Sequence, residues 1–381
     1  MTQTPPSPSV KGWCPGAYRP MMSGDGLVVR VRPVLARLTR DQVFGLCDTA
    51  LAFGSGLIDL TSRSNLQIRG VTEGNHQAVL DRLQDIGLLP DDPILEGRRN
   101  ILIAPMLSKG DNTTRLATDL MARLGDLPEL PAKMGYAIDT DIAPQFTQNS
   151  ADFRFERTAT GDLILRADGM SRGRAVTVDT AIDALIEMAD WFVATGGREN
   201  RRMARHTMLT TLPADWQAVL PAAPAQPLKP GQTALGAVFG VAFGQIEATA
   251  LKTLMTATAA KALRVTPWRL FLMEGAEMAE TAAFITTATD PLLTTDACPG
   301  APLCAIATVE TREIARSLAG QFTGPLHVSG CAKGCARPRA CATTLVGRDG
   351  AFDLVRNGTP WDQPTETDLT PDSLVKALGT H

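Results

Sequence analysis

The chain has no hydrophobic run long enough to cross a membrane. Its longest apolar stretch, 235–250, is broken by Gly236, Gly240 and Gly244 and falls short of the ~20 residues a bilayer-spanning helix needs. Charge of neither sign prevails: 37 Lys and Arg stand against 40 Asp and Glu, a net −3, which argues against a general nucleic-acid binder. No Gly-x-Gly-x-x-Gly follows a strand, so no nicotinamide-binding fold is recognisable. Histidine is scarce, with four in 381 residues, and no His-x-Asp or His-x-His pair occurs. Nothing resembles a signal peptide, and an odd count of seven cysteines fits a reducing cytoplasm. The polar, proline-rich residues 1–20 read as a flexible tail.

What the chain does have is four cysteines close together. Cys298 and Cys304 lie in CPGAPLC, and Cys331 and Cys335 in SGCAKGCARP, all within 38 residues. Thiolates suit soft metal centres, so four of them fit a 4Fe–4S cluster or a structural zinc. Neither pair is the Cys-x2-Cys knuckle common in zinc sites. Gly300, Gly330 and Gly334 let the backbone come close to an inorganic sulfide and aim N–H groups at it. Iron–sulfur is the favoured reading; zinc and unligated thiols stay open. Cys47 falls on the apolar face of a helix. Cys14 and Cys341 lie outside the set and read as non-ligands.

A length of 381 residues with 44% hydrophobic and 20% charged content describes a chain of two or three domains, each with a substantial core. A first block over 24–75 reads strand, helix, strand, strand. Leu27–Val31 is β-branched, and Thr39 caps a helix through Ala52 whose apolar face is Val43, Leu46, Cys47, Ala50 and Leu51. Leu57–Leu60 and Leu66–Ile68 form a strand pair around Thr61–Asn65. A second block over 235–275 repeats that order. Ala237–Phe243 reads as strand, Ile246–Ala262 as helix and Leu263–Met273 as extended chain. Thr61 precedes Gly70, and Thr266 precedes Gly275, by the same nine positions. The repeat is too long and sparse for a solenoid and implies a duplicated domain about a pseudo-two-fold axis. The proline-rich segment 220–232 reads as the linker between the halves.

Three basic segments lie between the blocks: 96–101 with Arg98 and Arg99, 130–134 with Lys133, and 197–206 with Arg201 and Arg205. Any one of them alone reads as a solvated face. Together they suit a small polyanion, because guanidinium forks grip carboxylates.

Five features together resemble the nitrite/sulfite reductase superfamily: the two related halves, Thr61-x-Arg63-x-x-x-Gln67, Arg99-Asn100, Leu130-Pro131-x-Lys133 and the cysteine set. Within it, the chain most resembles the precorrin-3B synthase branch at Gly24–Leu27, Thr61–Gly70, His327–Cys335, Thr344–Gly347 and Asp353–Gly358. Sulfite reductases carry a second lysine where this chain has Gly135. They and the nitrite reductases commonly have Pro-Asn where this chain has Ala332-Lys333. Cys335-Ala336-Arg337-Pro338 is a form also common among the reductases.

The resemblance implies an α+β fold. Duplicated ferredoxin-like half-domains over 21–78 and 233–285 would accompany a first nitrite/sulfite reductase-like domain over 92–215 and a cluster-binding one over 290–381. It implies hydroxylation of carbon 20 of precorrin-3A by O2, with closure of a γ-lactone, in aerobic cobalamin synthesis. The expected cofactors are a 4Fe–4S cluster on the four cysteines and a mononuclear non-haem iron. Electrons would come from NADH, directly or through a partner reductase. The tetrapyrrole would occupy the crevice that holds sirohaem in the reductases, with Arg63, Arg99 and Lys133 as catalytic residues. Asn65, Gln67, Arg69, Arg201 and Arg205 would join them in binding it. For the iron, His327 and His206 are the candidates; His76 reads as a surface residue in a polar loop, and His381 is terminal. The alternatives are a sirohaem-dependent sulfite or nitrite reductase and a non-catalytic electron-transfer or zinc-stabilised binding protein.

Overall fold

The computed structural model describes residues 15–107, 111–371 and 373–374. Cys14, His381 and most of the expected tail lie outside the described residues.

The first half opens with a hairpin, β1 (Met21–Ser23) and β2 (Gly26–Val31), followed by a 3-10 turn and a short β3 (Arg37–Thr39). Thr39 then starts α1 (Arg40–Phe53) with a capping box: its hydroxyl accepts from the Gln42 N–H, and its own N–H donates to Gln42 Oε1. This satisfies two donors that a helix start otherwise leaves unpaired. Val43, Leu46, Cys47 and Ala50 are buried, whereas Leu51, expected on the same face, is 43% exposed. The strands β4 (Leu57–Leu60) and β5 (Leu66–Val71) and the helix α2 (His76–Asp85) complete the half. His76 is therefore not in a polar loop: it begins α2, half-buried, with Nε2 2.9 Å from the Ala17 carbonyl.

A mixed sheet comes next. After α3 (Pro93–Arg98) run β6 (Ile101–Ile103), α4 (Asn112–Ala122), β7 (Tyr136–Ile138), β8 (Phe153–Arg157), β9 (Leu163–Ala167) and β10 (Arg174–Ala175). Three helices follow: α5 (Ala181–Ala194), α6 (Gly197–Asn200) and α7 (Met203–His206). β6, β7 and β8 are parallel, and β9 and β10 continue antiparallel.

The second half repeats the first as β11 (Gly231–Thr233), β12 (Gly236–Gly240), a 3-10 turn, β13 (Gln245–Glu247), α8 (Ala248–Ala257), β14 (Ala262–Val265) and β15 (Leu270–Glu274). The helix is shorter than the predicted 246–262: Gln245–Glu247 is spent on a strand, the chain turns left-handed at Ala259 (φ 49°), and Ala262 already begins β14. The predicted extended stretch 263–273 is two strands around a turn, and the predicted strand 237–243 ends at Gly240. A second mixed sheet closes the chain: β16 (Thr295–Ala297), α9 (Arg312–Leu318), β17 (Leu326–Ser329), β18 (Cys341–Arg348), β19 (Ala351–Gly358) and β20 (Glu366–Leu369). β16, β17 and β18 are parallel, and β19 and β20 antiparallel, the same pattern as the first mixed sheet.

The halves exchange edges. The first sheet has the order β1-β2-β5-β4-β13 and the second β11-β12-β15-β14-β3, so each takes its last strand from the other half. α1 packs on α8, and one core joins Val29, Leu46 and Ile68 to Phe239, Leu254 and Phe271. The repeated turns match in backbone as well as sequence. Thr61 N–H donates to the Asn65 carbonyl and Thr266 N–H to the Leu270 carbonyl. Ser64 and Arg269, each three residues past its threonine, have φ of 52° and 59°. Gly70 and Gly275 have φ of 69° and 72°, a left-handed conformation that favours glycine at both places.

Candidate functional site

Parallel strands end side by side, and the loops leaving those ends gather at one edge of the sheet. Cys298 follows β16 and Cys331 follows its neighbour β17, so the two cysteine loops leave the same edge of the second mixed sheet. The thiols are near enough to act on one another. Burial raises the Cys331 and Cys335 pKa values, and the other cysteines of the set raise them further. The Gly330 N–H donates to Cys298 Sγ at 3.1 Å. A side chain at Gly330 would start 2.6 Å from Ala307 Cβ and 3.5 Å from Cys298 Sγ, so glycine is what lets this N–H reach the sulfur. A donor set of four thiols on two loops that leave one sheet edge, with a backbone N–H aimed at one sulfur, fits a 4Fe–4S cluster.

The first ferredoxin-like sheet meets these loops. Ser23 Oγ donates to the Leu303 carbonyl at 3.3 Å, and a Cβ on Gly24 would lie 2.8 Å from that oxygen. Across the sheet Arg30, Gln67, Asp59 and Gln245 stand in register, and residues in one row share a face. Arg69 is buried and donates to both Asp25 oxygens, at 3.0 and 2.7 Å, with Asp59 3.5 Å away. Its guanidinium is engaged by protein carboxylates, so it holds the Gly24–Gly26 turn in place. Asp59 also lies 4.0 Å from Arg312, the first residue of α9. Burial raises the Asp59 pKa, against the opposing pull of Arg69 and then Arg312.

Three of the residues expected from sequence come together beyond this row. Arg63 Nη2 donates to the Lys133 carbonyl at 2.9 Å. Asn100 Nδ2 donates to the Ala132 and Met134 carbonyls, bracing the Lys133 loop from below. Arg99 Nη2 donates to the Arg32 carbonyl at 2.8 Å, and burial lowers its pKa. Arg32 in turn is ion-paired with the buried Glu96. Asn65 Nδ2, Ser64 Oγ and Asn100 Oδ1 are buried with no hydrogen-bond partner, and such atoms call for a bound polar group.

Gly135 closes the Lys133 loop. A Cβ there would sit 2.8 Å from the Asn100 carbonyl oxygen, and the Gly135 N–H donates to Asp152 Oδ2 at 3.0 Å. The second lysine of the sulfite reductases therefore has no room in this chain.

The arginine-rich segment goes elsewhere. Arg201 is exposed with φ 63°. Arg205 lines a depression of about 490 Å³ together with Arg154, Arg202 and Asp168; Arg63, Arg99 and Lys133 do not line it. Arg154 is ion-paired with Asp168 there, and Arg202 with Asp152. This open depression lacks the thiols and the orphaned amides, so the chemistry favours the seam between sheet and cysteine loops.

The histidine candidates also part. His206 is buried with both nitrogens engaged, Nε2 by Thr195 at 2.7 Å and Nδ1 by Asn200 at 2.8 Å. His327, on β17, is fully buried with neither nitrogen hydrogen-bonded, and burial pushes its pKa down to about 4. Among the described residues no three His, Cys, Asp or Glu side chains, the four cysteines included, gather closely enough to hold a single metal ion, so no mononuclear iron site is assigned. Cys47 is fully buried, its pKa pushed up to about 12 by desolvation. Cys341 is buried at the start of β18 and donates to the Pro325 carbonyl.

Sequence reasoning missed Arg30, Arg32 and Arg312. The first two alternate along the β-branched run, Arg30 inside β2 and Arg32 just past its end, a period-two signal of one polar face. For Arg312 no local signal exists.

Among the described residues no helix is long and apolar enough to cross a membrane. Residues 19–86 match the nitrite/sulfite reductase ferredoxin-like half domain. The Mycobacterium tuberculosis NirA protein has a similar structure, with a TM-score of 0.65, 17% identity and coverage of 92% of this chain and 79% of that one. The fold is thus that of the nitrite and sulfite reductases. A precorrin-3B synthase from Sinorhizobium sp is 31% identical over 391 aligned positions, 91% of this chain and 83% of the relative. At that identity and coverage, the chain belongs to the precorrin-3B synthase family.

Proposed function

We propose that the chain uses O2 to hydroxylate carbon 20 of precorrin-3A, with γ-lactone formation, as a step of aerobic cobalamin synthesis. The observation that carries this reading is the seam where an arginine-bearing sheet face meets four clustered thiols. A substrate with carboxylates around its rim needs several fixed cations, and guanidinium forks hold carboxylates in a defined orientation. Arg63 and Arg99 are held by the backbone carbonyls of Lys133 and of Arg32, just past β2, and together with Lys133 they would offer the substrate a preformed cradle. Asn65 and Asn100 supply the neutral amides. Of the predicted carboxylate-binding residues, Arg69 is spent on Asp25.

Cys298, Cys304, Cys331 and Cys335 would hold the 4Fe–4S cluster, which when bound passes single electrons. Electrons from NADH, directly or through a reductase, would enter there. His327 is the candidate with nitrogen available to a non-haem iron. Gly135 supports the synthase over a sulfite reductase, because the oxyanion-binding lysine of the latter is excluded by the Asn100 carbonyl.

Anaerobic purification with iron, sulfide and visible spectra tests this, followed by turnover of precorrin-3A under 18O2. About five irons to four sulfides, no sirohaem bands and one labelled oxygen in the product are expected. Sirohaem bands with sulfite or nitrite turnover would replace the reading with the reductase one.

A further inference from the structure

The residue that the proposed function leaves unused is Arg312. It opens α9, directly behind the first cysteine loop, and the loop grips its neighbour. Thr311 Oγ1 donates to the Cys298 carbonyl at 2.6 Å, and a Cβ on Gly300 would lie 2.6 Å from that hydroxyl. The Arg312 side chain is 13% exposed, its Nε and Nη1 are buried with no hydrogen-bond partner, and its one ion pair among the described residues, to Asp59, is 4.0 Å long. That partner is shared with Arg69. A buried guanidinium with two unsatisfied groups and half of a long ion pair is under-compensated.

We infer that Arg312 is a positioning residue that sets the electron affinity of the cluster, its under-compensated positive charge favouring the reduced, more negative state. The inference rests on the reading of the four cysteines as cluster ligands. Burial lowers the Arg312 pKa, and Asp59 and then Cys298 oppose that fall, so Arg312 lies close enough to Cys298 to feel its charge. The comparison within the molecule points the same way. In the first mixed sheet the corresponding helix α4 opens with Asn112, and the loops around it carry no cysteine. The arginine stands only where the thiols stand.

The test is an EPR-monitored redox titration of the full-length protein, after iron and sulfide counts, for wild type, Arg312→Gln, Arg312→Lys and the exposed control Arg316→Gln. Removing the charge is expected to cut the reduced-to-oxidised ratio at a fixed potential by about tenfold, a fall of about 59 mV for a one-electron couple. Arg312→Lys and Arg316→Gln are expected to stay near wild type. An unchanged midpoint in Arg312→Gln with full iron and sulfide overturns the inference and leaves the cluster standing. So does loss of the cluster in Arg312→Gln joined to a shifted midpoint in Arg312→Lys, which would mark a packing role for the guanidinium. Zinc or no sulfide in wild type removes the cluster reading itself, and this inference with it.

Discussion

In the first ferredoxin-like sheet, the row facing the cysteine loops reads Arg30, Gln67, Asp59, Gln245; at the same register positions of the second it reads Val238, Leu272, Arg264, Arg37. Even the ion pair is inverted. Arg69 faces Asp59 in one half, and Glu274 faces Arg264 in the other. The second face is closed by Met106, Leu228, Leu235 and Leu293. Where the first half has Arg32, the second has Gly240, whose Cβ would lie 3.0 Å from Ile285 and Leu293. One backbone has thus been used twice. One copy keeps a charged face beside the thiols, while the other buries leucines, each worth ~1.5–3 kcal/mol, and serves as glue. The two mixed sheets differ likewise, since both repeat the same strand order and one alone carries the four cysteines.

The sharpest way to break this contrast is at the thiols. Cys331→Ser should lose iron, sulfide and all turnover. A change just after β7, Asp139→Ser, should leave the iron count intact. Metal analysis of both decides it, and equal losses would mean that the two sheets are not functionally distinct.

Arg63→Ala and Arg99→Ala come next. A charge-assisted hydrogen bond is worth ~1.5–3 kcal/mol, so each should raise KM for the tetrapyrrole by about ten- to a hundredfold. Arg264→Ala, in the second half, strands Glu274 between fewer partners. It should cost ~3–5 kcal/mol of stability and leave KM as it was. Denaturation and steady-state kinetics on the three variants separate a binding face from a structural one. A raised KM for Arg264→Ala would erase the distinction.

Gly135→Lys should destabilise by ~1–3 kcal/mol through overpacking against Asn100 and should confer no sulfite reduction. A stable variant with sulfite turnover would show that the synthase site is a reductase site lacking one cation.

Much of this was legible in the sequence. Thr39 announced the cap of α1, and the nine-residue spacing of Thr61–Gly70 and Thr266–Gly275 survives as matched backbone angles. The exchanged edges were not legible. β3 and β13 are three residues each, too short for a periodic signal, and only their partners in the other half make them strands. Arg30 hid inside a run that reads as buried strand, and Arg32 just past its end, because a residue's face is set by what packs against the sheet. Arg201 and Arg205 looked like crevice residues because local charge says nothing of where a segment docks; Asp152 draws the neighbouring Arg202 to its own domain.

The smallest effect expected is a pH dependence of opposite sign in the two mixed sheets. Asp139, just after β7, is fully buried, and desolvation raises its pKa from 3.8 to about 6 against two backbone N–H donors. A raised carboxyl binds its proton more tightly in the folded state, so its stabilising share is complete below pH ~4 and is lost as pH rises through about 6. His327 is the converse. Its folded pKa of about 4 lies below the ordinary 6.5, so stability is present above 6.5 and is lost as pH falls toward 4. From pH 7 to 5, Asp139 should add about 1 kcal/mol and His327 remove about 2 kcal/mol. The wild type should therefore change little, while Asp139→Asn loses stability on acidification and His327→Gln gains it. Urea denaturation at pH 7 and pH 5 reads both slopes. Parallel slopes in the two variants would mean that neither group is held in its uncharged form by burial, and the electrostatic contrast between the two sheets would then reduce to the cysteines alone.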